Sequence, residues 1–144
     1  MKLDDYFDLW SQDSKIDRTE LGEESIKIPQ LHHKYYKHFS VERLTLTKLQ
    51  EQLKSLKKDK FEYFSGVMAE EDMVDRGWEP NQLRILKSDL NMYIEADKEI
   101  IDHTLKIAYT KEKVSFLEDV LRALNTRSFQ ISNAIKWEQF KVGI

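Results

Sequence analysis

Leu46, Leu49, Leu53 and Leu56 recur at spacings of three, four and three residues. That alternation puts all four on one stripe of an α-helix, the seam along which a helix packs lengthwise on another. Leu31, Tyr35 and Phe39 carry the apolar side toward the N-terminus. Tyr63 and Phe64 carry it toward Gly66, a residue suited to ending a helix in the left-handed conformation. A helix of about 35 residues spans roughly 50 Å. That is too long for the interior of one small globule, so the sequence calls for an elongated hairpin or a contact between subunits.

A second long helix is predicted from Ile101, Leu105, Ala108, Phe116, Val120 and Leu124, again at helical spacing. Helix is expected to resume near Asn81, with Leu83, Leu86 and Leu90 on one side, and to break around 94–97. A short amphipathic helix is predicted over 3–10, where Leu3, Tyr6, Phe7 and Trp10 share a side. Asp17 followed by Glu20 has the spacing of a capping box and is expected to start the next helix. Pro29 is expected to break or kink that helix near Ile28. Residues 66–80 read as an acidic loop with Glu70, Glu71, Asp72, Asp75 and Glu79. Asn125-Thr126 is expected to end the second long helix and cap a final one over 127–143. With only four Gly and two Pro there is little turn punctuation for a β-rich chain. The expected fold is all-α: a long helical hairpin with short N- and C-terminal helices, in a single domain over 1–144.

Cysteine is absent, which excludes disulfides, thiolate zinc sites and cysteine nucleophiles and suits a reducing cytoplasm. No apolar run approaches the roughly 18 residues of a membrane span, and Asp4 and Asp5 stand where a secretory signal would be basic. The glycines at 22, 66, 77 and 143 are scattered singly, so neither a phosphate-cradling loop nor a nucleophile elbow is present. His32 and His33 point about 100° apart on a helix, and His38 is not one turn from either, so a metal site is not expected there or at His103. The acids at 70–75 lack the ligand alternation and central glycine of a calcium loop. No enzyme activity and no cofactor are expected.

The net charge is −3, but it is unevenly spread. Residues 31–61 carry eight basic and three acidic side chains, and residues 62–102 carry four basic and eleven acidic. Such blocks make separate positive and negative faces. The segment Lys54-Ser55-Leu56-Lys57-Lys58-Asp59-Lys60-Phe61-Glu62-Tyr63-Phe64-Ser65-Gly66 is the most informative. Lys54, Lys57 and Lys58 fall on one helix side. Ammonium groups beside aromatic faces suit single-stranded nucleic acid, because cations neutralise phosphates and rings stack on any base. The same pattern also describes a solvated helix face with Phe61 and Phe64 in the core. Phe129, Ile131, Ile135, Trp137 and Phe140 occupy several sides of the last helix, which either closes the core or buries them against another copy.

These residues carry a resemblance that runs nearly end to end. Ile16-Asp17-Arg18-Thr19-Glu20-Leu21, Phe61-Glu62-Tyr63-Phe64-Ser65-Gly66, Ala96-Asp97-Lys98-Glu99 and Arg127-Ser128-Phe129-Gln130-Ile131, with Phe140 and Gly143, occur in the order and near the spacing found in the UvsY recombination mediators of large tailed phages. The chain resembles that family. The resemblance implies a ring-like oligomer, hexamer or heptamer, in the cytoplasm of the infected bacterial host. It implies binding of single-stranded DNA, of a phage RecA-class recombinase and of the phage single-strand-binding protein, with the recombinase loaded in its place during recombination, repair and replication. It implies a DNA-binding role for Lys58 and Lys60, with Lys54, Lys57, Tyr63 and Phe64 beside them, and self-association through 127–143. Three departures stand out. Lys60 replaces an arginine and loses its planar fork, Phe64 replaces a tyrosine, and Ser128 replaces a glycine, which puts any left-handed backbone there in question. Lys60 also continues the 39, 46, 53 positions, so its stem is expected to pack on the seam with the ammonium exposed. The rival expectation is a helical protein-binding adaptor that never touches DNA.

Overall fold

The structure, a computed structural model, describes residues 1–81 and 83–144. Among the described residues every regular element is helical: α1 (Leu3–Asp13), α2 (Leu21–Ser65), α3 (Glu70–Arg76), a 3-10 turn (Lys87–Asp89), α4 (Leu90–Glu95) and α5 (Lys98–Lys141). The chain is all-α, as its periodicity predicts. It forms two compact units: Met1–Leu44 with Tyr109–Ile144, and Thr45–Ala108. The two long helices, α2 and α5, each contribute to both.

In the first unit, α1 lays Tyr6, Leu9 and Trp10 against Tyr35 of α2 and Leu117, Val120, Leu121 and Leu124 of α5. The helices run antiparallel, with Glu24 meeting Arg127 at 3.2 Å and Glu42 meeting Lys113 at 2.9 Å. Both carboxylates are buried, and a buried charge persists only when paired and hydrogen-bonded. Arg127 meets that condition through its fork: Nη1 donates to the Asp13 carbonyl at 2.7 Å, and Nη2 to the Lys15 carbonyl at 3.1 Å and to Glu24. One side chain on α5 thereby fastens the segment that follows α1. Tyr6 donates its hydroxyl to Glu42 at 3.0 Å.

In the second unit α2 and α5 again run antiparallel, and the four leucines of the seam are half-buried. His103 bonds the Leu49 carbonyl through Nε2 at 2.8 Å, and Lys60 pairs with Asp97 and Glu99. Asp97 starts α5 by accepting the backbone N–H groups of Glu99 and Ile100, the work of an N-cap carboxylate. At the other end, Gly66 takes φ +80 and Val67 N–H returns to the Glu62 carbonyl, which closes α2 where glycine was expected to close it.

Several local expectations are corrected. Asp17 spends its carboxylate on Thr19, accepting from both N–H and hydroxyl, and α2 begins only at Leu21. Pro29 does not break α2. The proline and Ser25, whose carbonyl it deprives of the usual helical N–H, are both exposed, while Glu24 and Leu31 anchor the helix on either side. Residues 66–80 are not all loop. Glu70, Glu71 and Asp72 open α3, where acids suit the positive end of the helix dipole, and Gly77 closes it at φ +71. Helix does not resume near Asn81: residues 83–86 are irregular, and Leu83 and Leu86 are exposed whereas Leu90 is buried. Asn125-Thr126 does not end a helix. Thr126 turns its hydroxyl back to the Ala123 carbonyl, and buried Leu124, Arg127 and Ile131 carry α5 straight through. The expected separate helix over 127–143 is thus the last part of α5, and Ser128 is helical with no positive φ. Finally, α5 buries Ile100, Ile107 and Thr110 and leaves Ile101 and Leu105 outside. Polar His103 and Thr110 occupy inward positions that apolar periodicity alone does not find.

Candidate functional site

The C-terminal third of α2 turns Lys54, Lys57 and Lys58 outward, as their spacing requires. Lys54 lies 2.9 Å from Glu51, and Lys58 lies 3.8 Å from Glu62, with its side chain 76% exposed. Such exposed pairs within one helix contribute little, so both ammonium groups remain available to a stronger anion. Lys57 has no ion-pair partner among the described residues.

The aromatic partner of these lysines is not the one expected. Tyr63 and Phe64 are packed into a cluster with Trp78 and Tyr93, with centroid separations of 5.1 to 5.9 Å. The Tyr63 hydroxyl donates to the Glu79 carbonyl at 2.5 Å, and the Asn81 amide donates to the carbonyls of Tyr63 and Phe64. Burial, with Glu79 and Asp97 nearby, pushes the Tyr63 phenol above its ordinary range. The Tyr63 ring and the two carbonyls fasten the end of α2 to the 78–81 segment, while the Phe64 ring meets Tyr93 of the following α4. Phe61, assigned to the core in the alternative sequence reading, is 45% exposed and sits one turn from Lys57 and Lys58. No motif singles it out. The signal that would have found it is its offset from the leucine seam.

Lys60 is also corrected. Its ammonium is not exposed: the residue is 3% accessible. The Nζ lies 3.2 Å from Asp97, 3.5 Å from Glu99 and 3.8 Å from the centre of the Trp78 ring. The Trp78 indole donates to Glu99 at 2.6 Å, and Arg76 pairs with Asp59 and reaches over the same ring. Lys60 therefore neutralises the acidic start of α5 and props Trp78, and presents no charge outward.

In the first unit, a hollow of about 450 Å³ is lined by His33, Lys34, Lys37, His38 and Val41. Its charge is muted. Lys34 is held by Asp13 at 2.7 Å, and burial, then the charge of Lys34, holds the His38 imidazole below its usual range.

Beyond Leu124, α5 exposes Phe129, Trp137 and Phe140, with Phe129 and Phe140 more than 70% accessible and Trp137 stacked on Phe140 at 5.6 Å. Ile135 is less exposed. Ile131, expected in the same surface, is 2% accessible and belongs to the chain's own interior. Among the described residues no group of three or more metal-ligating side chains forms, and no helix is long and apolar enough to cross a membrane.

Fold and surface together define an all-α protein with two antiparallel long helices, a cationic face edged by an exposed aromatic ring, and an uncovered apolar stretch at the end of α5. Residues 9–144 match the family described as recombination, repair and ssDNA binding protein UvsY, and the chain belongs to that family. Crystal structures of the bacteriophage T4 recombination mediator protein UvsY share the fold. One, in lattice type II, superposes with a TM-score of 0.85 at 24% identity, covering 99% of each chain. Another, in lattice type IV, gives 0.85 at 22% identity over 97% of this chain and 99% of the other. A third, in lattice type I, gives 0.83 at 22% identity over 95% and 98%. No curated protein sequence matches this one significantly.

Proposed function

We propose that this chain is a recombination mediator that binds single-stranded DNA through Lys54, Lys57, Lys58 and Phe61. In this role it helps a phage RecA-class recombinase take the place of single-strand-binding protein. The observation that carries the proposal is the juxtaposition of Lys57, Lys58 and Phe61 within one exposed turn of α2. Two cations and an uncovered ring meet the two needs of sequence-tolerant strand binding. Residues 1–144 act as one mediator domain, since α2 and α5 are common to both units. Phe129, Ile135, Trp137 and Phe140 join copies into a hexameric or heptameric ring. Several basic faces on one ring hold a strand multivalently, so affinity exceeds that of one protomer without new contacts. Chemistry plays no part: the strand is held and presented, and competing protein is loosened from it.

Fluorescence anisotropy of a labelled single strand, titrated at several salt concentrations, tests this. Changing Lys57 and Lys58 together to Ala should weaken binding and flatten the log–log salt dependence by about 0.7 per lost phosphate contact. Unchanged affinity and slope would move the DNA path elsewhere. Absence of any binding by the unaltered protein would favour the adaptor.

A further inference from the structure

Phe61 does not stand on a flat surface. Together with Lys57 and Lys58 it forms one wall of a hollow of about 280 Å³, whose opposite side is Asn91 and Glu95 of α4 and whose floor includes buried Ile94. The side chains of Asn91 and Glu95 are exposed and make no hydrogen bond or ion pair among the described residues. Lys57 and Glu95 share the hollow without closing an ion pair. It is thus polar on one side, aromatic on another, cationic at its rim and open to solvent.

We propose that this hollow is a base subsite that favours nucleobases bearing an exocyclic amino group. The inference rests on the reading of the basic face as a strand-binding surface, and adds selectivity to it. The chemistry follows from the donor inventory. A carboxylate accepts hydrogen bonds and donates none. Cytosine presents an amino group on the edge where uracil and thymine present a carbonyl, and carboxylates accept from cytosine N4 in base recognition. With the backbone phosphate at Lys57 and Lys58 and the ring against Phe61, the base edge points toward α4. There Glu95 accepts from the open amino group of cytosine, whereas uracil offers it only a ring N–H flanked by two carbonyl oxygens that the carboxylate repels, while the Asn91 amide offers a donor and an acceptor to the rest of the edge. A solvated basic face has no such discrimination, because ammonium groups on phosphates carry no sequence information.

The experiment compares binding of labelled oligo-dC and oligo-dU of equal length at one salt concentration near neutral pH. The two bases differ at the amino or carbonyl position and its neighbouring ring nitrogen, and not in a methyl group. The full-length protein should bind oligo-dC more tightly by roughly three- to tenfold, the scale of one hydrogen bond made in competition with water. Glu95→Gln, whose amide serves either base, should erase the preference and leave the salt slope unchanged. Phe61→Leu should weaken both oligonucleotides about equally. Equal binding of dC and dU by the unaltered protein, or a preference that survives Glu95→Gln, overturns the base subsite while leaving strand binding intact. Failure to bind either oligonucleotide overturns the strand-binding reading itself.

Discussion

Replacing Lys60 with methionine keeps most of the buried stem and removes the ammonium. Its pairs with Asp97 and Glu99 and its place over the rings of Trp78 and Tyr63 go with it. The cation over Trp78, at 3.8 Å in a site closed to solvent, contributes up to about 2 kcal/mol. The pair with Asp97 is largely shielded, whereas Glu99 is half exposed and regains water. Removing one partner of a buried pair costs about 3–5 kcal/mol when the other charge is stranded. Asp97 is not stranded, because it still accepts the N–H groups of Glu99 and Ile100. The expected loss is therefore about 2–3 kcal/mol. At roughly 2–4 °C per kcal/mol for a chain near this size, the melting temperature should fall by about 4–12 °C. Thermal unfolding followed by circular dichroism measures the fall, and the emission of Trp78 should change with it. The decisive comparison is the salt dependence of DNA binding. Lys60→Met should leave the slope as it was, even if affinity drops, whereas Lys57 and Lys58 should change it. A Lys60→Met protein that melts like the parent but loses about 0.7 from the slope would show that this ammonium sits on a phosphate, and would refute the buried-prop account.

Two further outcomes follow from the geometry. Trp137→Ala with Phe140→Ala should give smaller species in sedimentation at unchanged helicity; an oligomer of undiminished size would place the subunit contact elsewhere. Truncation after Asn125 is a poorer probe, because it also removes buried Arg127 and Ile131 from the chain's own interior. Burial pushes the Asp13 carboxyl upward, but the hydrogen bonds from Lys34 and Tyr35 and the charges of Lys34 and Arg127 outweigh it and leave the group below the ordinary carboxylate range. A depressed carboxylate stabilises the fold above its unfolded pKa of about 3.9, and that contribution is lost as pH falls through the folded value. Asp13→Asn should thus be less stable at neutral pH and should flatten the acid limb of a stability-versus-pH curve; parallel acid limbs would contradict this.

The sequence by itself determined the secondary structure class, the two long helices, the leucine seam and the outward face of Lys54, Lys57 and Lys58, because helical periodicity is a local property that the order of residues fixes. It also determined where α2 stops, since Gly66 takes a backbone conformation that other residues resist. Tertiary structure decided which stop signals were overruled. Pro29 and Asn125-Thr126 each cost a helix something local, and burial of Glu24 and Leu31 around the first, and of Leu124, Arg127 and Ile131 around the second, outweighs that cost. It decided, too, the exchange at the candidate site. Lys60 is buried beneath Trp78 and the start of α5, Tyr63 and Phe64 are half-buried against Trp78 and Tyr93, and Phe61 stays open because α4 reaches only the far side of its hollow. Which face of a helix is covered depends on residues far away in the chain. A stripe of aromatics and lysines read along α2 therefore names the candidates for the site, while distant Trp78, Asn91, Glu95 and Asp97 choose among them.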